Sequence, residues 1–377
     1  MTIYLDSAAT TQCSAGAIEA AVGAMRENYY NPSALYHEGL MLKEQLNGVR
    51  SMILGALRAE GSVVFTGGGT ESDNLALFGC KKPKQGDIVV SAGEHAAVYA
   101  AATELKQRGY DVRFCPVKGD GSTDFEAFCQ MITEKTALAS VMHVNNETGA
   151  VNDLGKFSAA LKAKNPRALF HSDGVQAFGK LKLNLQRDGV DLYAISAHKI
   201  HAPKGVGALY IRKGIRLSPV VYGGGQEGGL RSSTENVPGI LAFGAAITET
   251  IEKQGETAQN LSFLRQKVIE GLTEENDEIR LISPENGSPY IVTFTMAKVR
   301  GEVMQHALER KGILIGTGSA CSSNKAGKRI PDALGLSGKW ADGVVRISFC
   351  RNTTEAEIDR FLVEFKQIYG ELSRYGS

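Results

Sequence analysis

A lysine and two hydrogen-bonding side chains follow a run of residues that is typical of a buried strand. The apolar segment Asp191–Ser196 leads directly into His198 and Lys199. A lysine at the end of a buried strand is costly unless it is paired, desolvated for a purpose or bonded covalently. Ser196 and His198 alternate on one side of an extended chain, so both can reach one phosphate. The alternative is a solvated loop lysine, which is how we interpret the nearby Lys204.

A cysteine in a loop of small residues is the second candidate for chemistry. Cys321 lies in the Gly- and Ser-rich stretch 316–325, and Lys325, Lys328 and Arg329 follow it. Positive charge favours the thiolate, which is the nucleophilic form of cysteine. A free thiol titrates near pH 8.5 and is mostly protonated at neutral pH without such help. We therefore interpret Cys321 as reactive, although the basic residues are also consistent with a solvated surface.

A glycine-rich turn precedes a predicted helix. Gly67, Gly68 and Gly69 follow an apolar run, and Thr70 comes next. Bare backbone N–H groups and the helix dipole suit an anion at such a point. The turn lacks the Gly-Lys-Ser/Thr of a nucleotide-binding loop. A plain strand-to-helix turn remains the alternative.

Polar side chains also follow other predicted strands. Asp173 ends one of them, and its carboxylate can pair with a protonated ring nitrogen while Gln176 donates to a nearby oxygen. A helix cap is the alternative for Asp173. His95 can stack on a planar ring or carry protons, unless it caps a helix or lies in the core. Asn145 offers an amide, although a turn also favours asparagine.

An arginine interrupts the apolar strand predicted at Val344–Phe349. Arg346 needs a partner in such a setting. A substrate carboxylate held by two hydrogen bonds would serve, and so would a structural ion pair. Both interpretations stay open at this point.

The order of β-rich and helical segments predicts the scaffold. From about residue 60 to 215 the two alternate, and the strands are almost continuously apolar. This pattern indicates an α/β fold with a mainly parallel sheet buried between helices, where ligands bind at the carboxyl ends of the strands. The predicted strands are Ser62–Thr66, Asp87–Ser91, Val112–Val117, Ala137–Val144, Ala168–Asp173, Asp191–Ser196 and Gly207–Ile211.

The pattern changes after about residue 250 and predicts a smaller α+β domain. We predict a large domain over residues 15–250 and a small domain formed by residues 1–14 and 251–377. The later predicted elements are a long charged helix at Ile251–Glu274, a strand at Tyr290–Thr295, a helix at Glu302–Arg310, a strand at Val344–Phe349 and an amphipathic helix at Glu355–Tyr369.

Composition narrows the class of protein. The chain has 377 residues, 43% of them hydrophobic and 22% charged, which suits a globular protein. A formal net charge of +1 gives no bulk support for direct nucleic-acid binding. No long apolar run and no basic-then-apolar N-terminus are present, so we expect a cytoplasmic protein with no membrane span. The six scattered cysteines include no C-x-x-C pair, so we expect neither a metal site nor a disulfide framework.

Taken together and in this order, the motifs resemble the cysteine desulfurases of the NifS/IscS type. These belong to the class-V aminotransferases, which are pyridoxal-phosphate enzymes of fold type I with a seven-stranded sheet. The resemblance covers nearly the whole chain and is most specific at the Ser-Ala-Cys loop. The motifs that carry it are Tyr4–Thr11, Asn31–Ser33, Phe65–Asn74, Met142–Gly149, Ser196–Lys199, Arg231–Asn236, Gly318–Ser322 and Arg346–Ser348.

The resemblance implies a role for each candidate residue. Lys199 would bind pyridoxal phosphate covalently, His95 would stack on its ring, Asp173 would pair with the ring nitrogen and Gln176 with the phenolic oxygen. The phosphate would be bound by Gly69, Thr70, Ser196 and His198. Thr234 would reach the phosphate of a neighbouring subunit, which implies a homodimer. The substrate carboxylate would be held by Asn145 and Arg346 with help from Asn31.

The implied reaction converts L-cysteine to L-alanine and places the sulfur on Cys321 as a persulfide. An acceptor protein, either an iron–sulfur scaffold or a protein of tRNA or cofactor thiolation, would then take the sulfur. Ala197 stands where the family usually has glycine, and Gly316-Thr317 replaces a common serine pair. A selenocysteine lyase, an aminotransferase-like enzyme and a non-catalytic scaffold are the competing hypotheses.

Overall fold

A seven-stranded sheet lies at the centre of the computed structural model, which describes residues 2–80, 86–274, 277–317 and 329–374. The strands are β1 (Ile3–Leu5), β2 (Gly61–Thr66), β3 (Asp87–Ser91), β4 (Asp111–Cys115), β5 (Thr136–Ser140), β6 (Leu169–Asp173), β7 (Leu192–Ser196), β8 (Gly207–Arg212), β9 (Ile279–Leu281), β10 (Ile291–Met296), β11 (Ile313–Ile315) and β12 (Val344–Ser348).

Helices cover the sheet and fill the C-terminal part of the described chain. They are α1 (Ala15–Glu27), α2 (His37–Leu57), α3 (Gly69–Gly79), α4 (Ala96–Gln107), α5 (Phe125–Met131), α6 (Leu154–Lys164), α7 (Leu185–Asp188), α8 (Val237–Glu252), α9 (Gln254–Thr273), α10 (Gly301–Arg310), α11 (Arg329–Ala333), α12 (Lys339–Asp342) and α13 (Glu355–Leu372). Among the helices that the structure describes, none has the length and apolar character needed to cross a membrane.

The large sheet is mainly parallel. Its strand order is β2-β8-β7-β6-β5-β3-β4, and only β8 runs antiparallel to its two neighbours. The carboxyl ends of the other six strands therefore meet at one edge of the sheet. The predicted α/β class with a mainly parallel seven-stranded sheet is confirmed.

The seven predicted strands of this sheet all form, but two end earlier than predicted. β4 ends at Cys115 because Pro116 follows and has no N–H group to donate to the sheet. β5 ends at Ser140, which is the last of its residues to pair with β3. The residues after Ser140 leave the large sheet and form a loop at its carboxyl edge.

The prediction of a single long helix at Ile251–Glu274 is wrong, because the chain leaves helical geometry at Lys253 (φ −95°, ψ 1°). α8 ends before this residue and α9 begins after it. The two helices contribute to different cores: Phe243 of α8 packs in the core beside the large sheet, and Leu264 of α9 packs beside β10. The break itself falls on a lysine, and the nearest glycine, Gly255, lies two residues later inside α9.

Two separate groups of buried apolar residues flank the predicted domain boundary. The cores that enclose the large sheet draw on residues between 17 and 247. A further core joins residues 3–8 to residues 261–369 around the antiparallel sheet β12-β10-β9. The domain limits at residues 14 and 250 stay a prediction, which we retain as a proposal on this separation.

The N-terminal segment connects the small sheets to the end of β7. β1 pairs with β11, and the Ala8 N–H donates to Ser348 Oγ at 2.8 Å. Three residues later, the Thr11 N–H donates to the His198 carbonyl at 3.0 Å. Residues 6–11 therefore lie across the carboxyl edge of the large sheet.

The contribution of the core around the sheet β12-β10-β9 to stability can be tested by mutation. Phe365 on α13 is 1% exposed and meets Phe294 of β10 edge to face. We expect Phe365→Ala to lower the free energy of unfolding by about 3–5 kcal/mol, because it removes a buried ring and leaves a cavity. Val363→Ala on the same helix is the control, since Val363 is 66% exposed and its loss should cost less than about 0.5 kcal/mol. Equal midpoints in urea for both variants would contradict the assignment of this core.

Candidate active site

A cavity of about 370 Å³ opens at the carboxyl edge of the large sheet. Its wall combines strand ends, the first turn of α3 and the N-terminal segment. Nine of the predicted site residues line it, namely Gly69, Thr70, His95, Asp173, Gln176, Ser196, His198, Lys199 and Arg346. Predicted site residues separated by up to 277 positions in the sequence, from Gly69 to Arg346, thus share one site.

Lys199 projects into this cavity from the turn after β7. Its Nζ donates to the carbonyls of Ala8 at 2.6 Å and Ala9 at 2.7 Å. Burial and the positive charge of Arg346 lower the pKa of Lys199 from 10.5 to about 8. A substantial fraction of the amine is therefore unprotonated near neutral pH, which is the nucleophilic form.

Asp173 ends β6 and presents its carboxyl group to the cavity. Its Oδ1 accepts a hydrogen bond from the Val175 N–H at 2.8 Å. Burial raises the pKa of Asp173, whereas His95 and Lys199 act to lower it. The next residue is glycine for a steric reason: a Cβ on Gly174 would lie 2.0 Å from the ring of Tyr193. The backbone can therefore turn out of the sheet directly after the carboxyl group.

His95 lies across the cavity mouth at the start of α4. The Ala97 N–H donates to its Nδ1 at 3.2 Å, so His95 caps this helix as well as facing the cavity. Because Nδ1 is an acceptor, the proton of the neutral ring lies on Nε2. His95 is therefore a helix cap that also lines the cavity, and its role toward a ring or a proton stays a prediction.

One end of the cavity is suited to an anion. α3 begins at Gly69, after Gly68 has taken a φ of +154° that other residues rarely adopt. A Cβ on Gly69 would lie 2.7 Å from a methyl of Val175, so only glycine leaves this space open. Ser196 and His198 adjoin the same turn, and a second open cavity continues past them to the exposed Lys204. The backbone N–H groups of the first turn face a space with two polar side chains.

Arg346 forms the opposite end of the cavity. Its guanidinium donates to Asp6 Oδ1 and to the Asn146 carbonyl, both at 2.9 Å. Burial lowers the pKa of Arg346, but Glu147 and Asp6 outweigh it and keep the group charged. Its Nε has no hydrogen-bond partner within the described residues. Arg346 therefore makes the structural ion pair and also retains a donor.

Three predicted residues lie away from the cavity, and the fourth falls outside the described residues. The Asn145 side chain closes a turn, accepting from the Glu147 and Thr148 N–H groups and donating to the Gly93 carbonyl. Its neighbour Asn146 lines the cavity instead. Asn31 and Thr234 are exposed and line neither cavity. Cys321 lies in the stretch that the structure leaves undescribed.

Sequence reasoning missed a second buried lysine behind the site. Lys180 is 6% exposed, and its Nζ donates to Gln176 Oε1 at 2.7 Å. The amide of Gln176 is thereby oriented so that its Nε2 donates to the Ala8 carbonyl, beside Lys199. Burial and the charge of Lys199 lower the pKa of Lys180 to about 7. The i, i+4 spacing of Gln176 and Lys180 was the available signal.

Comparisons with known proteins show the family of this chain. The sequence model of the family described as aminotransferase class-V matches residues 3–361. The chain belongs to this family. It is 36% identical over 364 residues to the protein named cysteine desulfurase IscS 1 of Archaeoglobus fulgidus, covering 95% of this chain and 94% of that one. It is also 36% identical to cysteine desulfurase IscS of Clostridium botulinum, covering 96% of this chain and 92% of that protein.

Solved structures give the same result for the fold. A structure named as a NifS-like protein superposes with a TM-score of 0.91 at 33% identity, covering 99% of this chain and all of that one. A structure described as SspA in complex with cysteine superposes with a TM-score of 0.80 at 28% identity, covering 94% of this chain and all of that one.

Enzymes of the class-V aminotransferase family use pyridoxal phosphate, and the cavity suits this group. It joins three features that the cofactor needs: a lysine with a lowered pKa, a buried carboxyl group and a helix N-terminus with an open cradle at Gly69. Lys199 lies in the same wall as Asp173 and Gly69. The described residues include no group of three or more acidic, histidine or cysteine side chains placed to hold a metal.

The lowered pKa of Lys199 can be measured by chemical labelling. In protein freed of bound carbonyl compounds, we expect reductive methylation of Lys199 to be half-maximal near pH 8. Arg346→Met should move this midpoint to higher pH, because Arg346 contributes to lowering the pKa. Arg108→Met is the control, since this exposed arginine follows the last residue of α4 and lines no part of the cavity. Peptide mass spectrometry gives the extent of labelling, and a midpoint near 10.5 would contradict the assignment.

Proposed function

We propose that this protein is a cysteine desulfurase, which converts L-cysteine to L-alanine and transfers the sulfur to Cys321. The observation that carries the proposal is the single cavity in which Lys199 faces Asp173, with Arg346 at one end and the α3 N-terminus at the other. The names of the relatives support the choice of reaction. The cysteine in one structural neighbour supports the choice of substrate.

The cavity residues would hold pyridoxal phosphate in a defined orientation. The phosphate would lie at Gly69 and Thr70, with Ser196 and His198 beside it, because backbone N–H groups and polar side chains meet there. Asp173 would pair with the ring nitrogen and Gln176 would donate to the phenolic oxygen. Lys199 would hold the resting cofactor and would be released when the substrate amine takes its place, and the cofactor would then supply an electron sink that stabilises negative charge on the substrate α-carbon.

The chain's own groups would bind the substrate and carry its protons. Arg346 would bind the carboxylate of cysteine through its guanidinium group, exchanging its bond to Asp6. The Lys199 amine, with its pKa near 8, is suited to remove the α-proton and return it. The Nε2 atom of His95 is free to donate or accept a proton at the cavity mouth, since Nδ1 is held by the helix.

Sulfur transfer requires a thiolate that can reach this cavity, and Cys321 is our candidate. Its sulfur would attack the sulfur of the substrate, so that an S–S bond forms as the Cβ–S bond breaks. The β-carbon gains the proton that makes it a methyl group. Cysteine and a thiol thus give alanine and a persulfide with no external oxidant or reductant. Basic residues near Cys321 in the sequence favour the thiolate.

A homodimer and a sulfur acceptor complete the proposal. Thr234 is exposed and lines neither cavity of its own chain, which suits a contact with the phosphate of a partner subunit. Large apolar side chains are exposed in two segments, namely Tyr29 (71%), Leu35 (89%) and Tyr36 (50%) in one and Tyr222 (80%) in the other. Exposed apolar side chains of this size are typical of an interface.

The acceptor would be an iron–sulfur scaffold or a protein of tRNA or cofactor thiolation. Both chemistries accept a persulfide sulfur, and we propose either one. A cytoplasmic location suits this role, because a reducing compartment keeps thiols such as Cys321 available.

The reaction is tested by measuring alanine and persulfide formed from L-cysteine. We expect equal amounts of both from the wild-type protein with pyridoxal phosphate. Lys199→Ala should lower the rate by about 10²–10⁴-fold, because it removes the group that transfers the proton. Cys321→Ser should abolish the protein-bound persulfide, and Cys129→Ser is its control. Undiminished turnover in Cys321→Ser would favour an aminotransferase, and a protein that never binds the cofactor would contradict the whole proposal.

The dimer is tested by sedimentation of the wild type and two charge variants. We expect the wild type to sediment as a dimer and the double variant Leu35→Glu/Tyr36→Glu to sediment as a monomer, because two charges would have to be desolvated at the interface. Val363→Glu is the control, since Val363 on α13 is 66% exposed, a fraction between those of Tyr36 and Leu35. A wild-type monomer at micromolar concentration would contradict the homodimer.

A further inference from the structure

Four buried polar side chains form a continuous row behind the cavity. Asp73 of α3 lines the cavity and is 1% exposed, while His171, Ser140 and Glu94 behind it are fully buried. Asp73 Oδ1 lies 3.4 Å from His171 Nε2. His171 Nδ1 lies 2.9 Å from Ser140 Oγ, and Ser140 Oγ donates to Glu94 Oε1 at 3.3 Å. The proposed reaction assigns no role to this row.

The direction of the hydrogen bonds follows from the number of protons. Ser140 has one hydroxyl proton, and with Glu94 ionised it is donated to Glu94 Oε1. Toward His171, Ser140 can therefore only accept, so the ring carries its proton on Nδ1. Complete burial lowers the pKa of His171 to about 3, so the ring is neutral and has no second proton. His171 Nε2 is consequently an acceptor.

Asp73 then faces an acceptor, which an ionised carboxylate cannot satisfy. Neither Asp73 Oδ1 nor His171 Nε2 has a hydrogen-bond partner if the carboxyl group is charged, although both are buried. Two buried acceptors in contact cost free energy, and one proton between them removes that cost. A proton on Asp73 Oδ1 gives every bond in the row a donor and an acceptor.

The surrounding charges act in the same direction. Burial, together with the negative charges of Asp173 and Glu94, raises the pKa of Asp73 well above its usual value. The pKa of Asp173 is subject to opposing effects. Burial raises it, whereas His95, Lys199 and the Val175 N–H stabilise the ionised form. Two neighbouring carboxyl groups in unequal surroundings take different protonation states. Asp73 is the one that keeps the proton.

We propose that Asp73 is a neutral carboxylic acid that donates its proton to His171 Nε2, and that it serves as a positioning residue for Asp173. With Asp73 neutral, Asp173 is the one carboxylate among the described lining residues, and its charge would be available to the ring nitrogen of the cofactor. The protonation state follows from the chain alone. The role toward the cofactor rests on the proposed function.

Infrared difference spectroscopy of the protein at neutral pH tests the protonation state directly. A protonated carboxyl group has a C=O stretching band that an ionised one lacks. We expect Asp73→Asn to lose one such band relative to the wild type between pH 6 and 8. Glu94→Gln distinguishes the other buried carboxyl of the row, and Glu104→Gln on the exposed face of α4 is the control. The absence of any band lost specifically in Asp73→Asn would overturn the inference.

Two variants then test the role toward Asp173 in the protein loaded with pyridoxal phosphate. Asp73→Asn keeps a neutral donor facing His171, so the pH midpoint of the cofactor absorbance should stay unchanged. Asp73→Leu removes the donor, and we expect cofactor affinity to fall by about tenfold. A shift of the midpoint by a full pH unit in Asp73→Asn would show that a charge had been lost and would contradict the proposal. If the infrared band is present but no alanine forms from cysteine, the proposed reaction fails and the protonation state stands.

Discussion

The site depends on placing a carboxyl group at the end of a buried parallel strand. Asp173 is 4% exposed, and a carboxylate so far from water is costly unless nearby groups stabilise it. That stabilisation comes from the Val175 N–H, from His95 and from Lys199, whose pKa is lowered but whose amine is still basic. Each comes from a different part of the edge. The turn at Gly174, the position of Lys199 after β7 and the start of α4 are therefore linked through one negative charge.

Much of the fold could be predicted because its strands are short apolar runs between breaks. The seven strands of the large sheet follow this pattern, and so does the helix at Glu355–Leu372 with its apolar stripe. The break at Lys253 could not be predicted, because it depends on two helices packing against different cores. The end of β5 likewise depends on where its neighbours stop pairing, whereas the end of β4 had a sign in the sequence, namely Pro116.

The residues of the site likewise fall into those that could be predicted from the sequence and those that could not. Residues that directly follow strands, such as Asp173 and Lys199, could be placed in the site from the sequence because strand ends converge. Lys180 and Asp73 were not identified, since their importance arises from burial that only packing creates. The sequence did contain one sign for Asp73, which lies four residues from both Gly69 and Leu77 on the buried face of α3. Asn145 and Asn146 are adjacent, so only the geometry of the turn distinguishes them.

The contacts of the N-terminal segment have a consequence for the order of folding. Asp6 pairs with Arg346, and Ala8 bonds to Ser348, in each case across 340 residues of sequence. The residues that close the substrate end are thus far apart in the chain, and those near Asp6 are synthesised long before those near Arg346. During synthesis the large sheet can assemble, and Lys199 can emerge, while Ala8 and Ala9 still lack the strand that anchors them. The site is therefore completed only after translation has passed β12, which prevents a partly made chain from forming it.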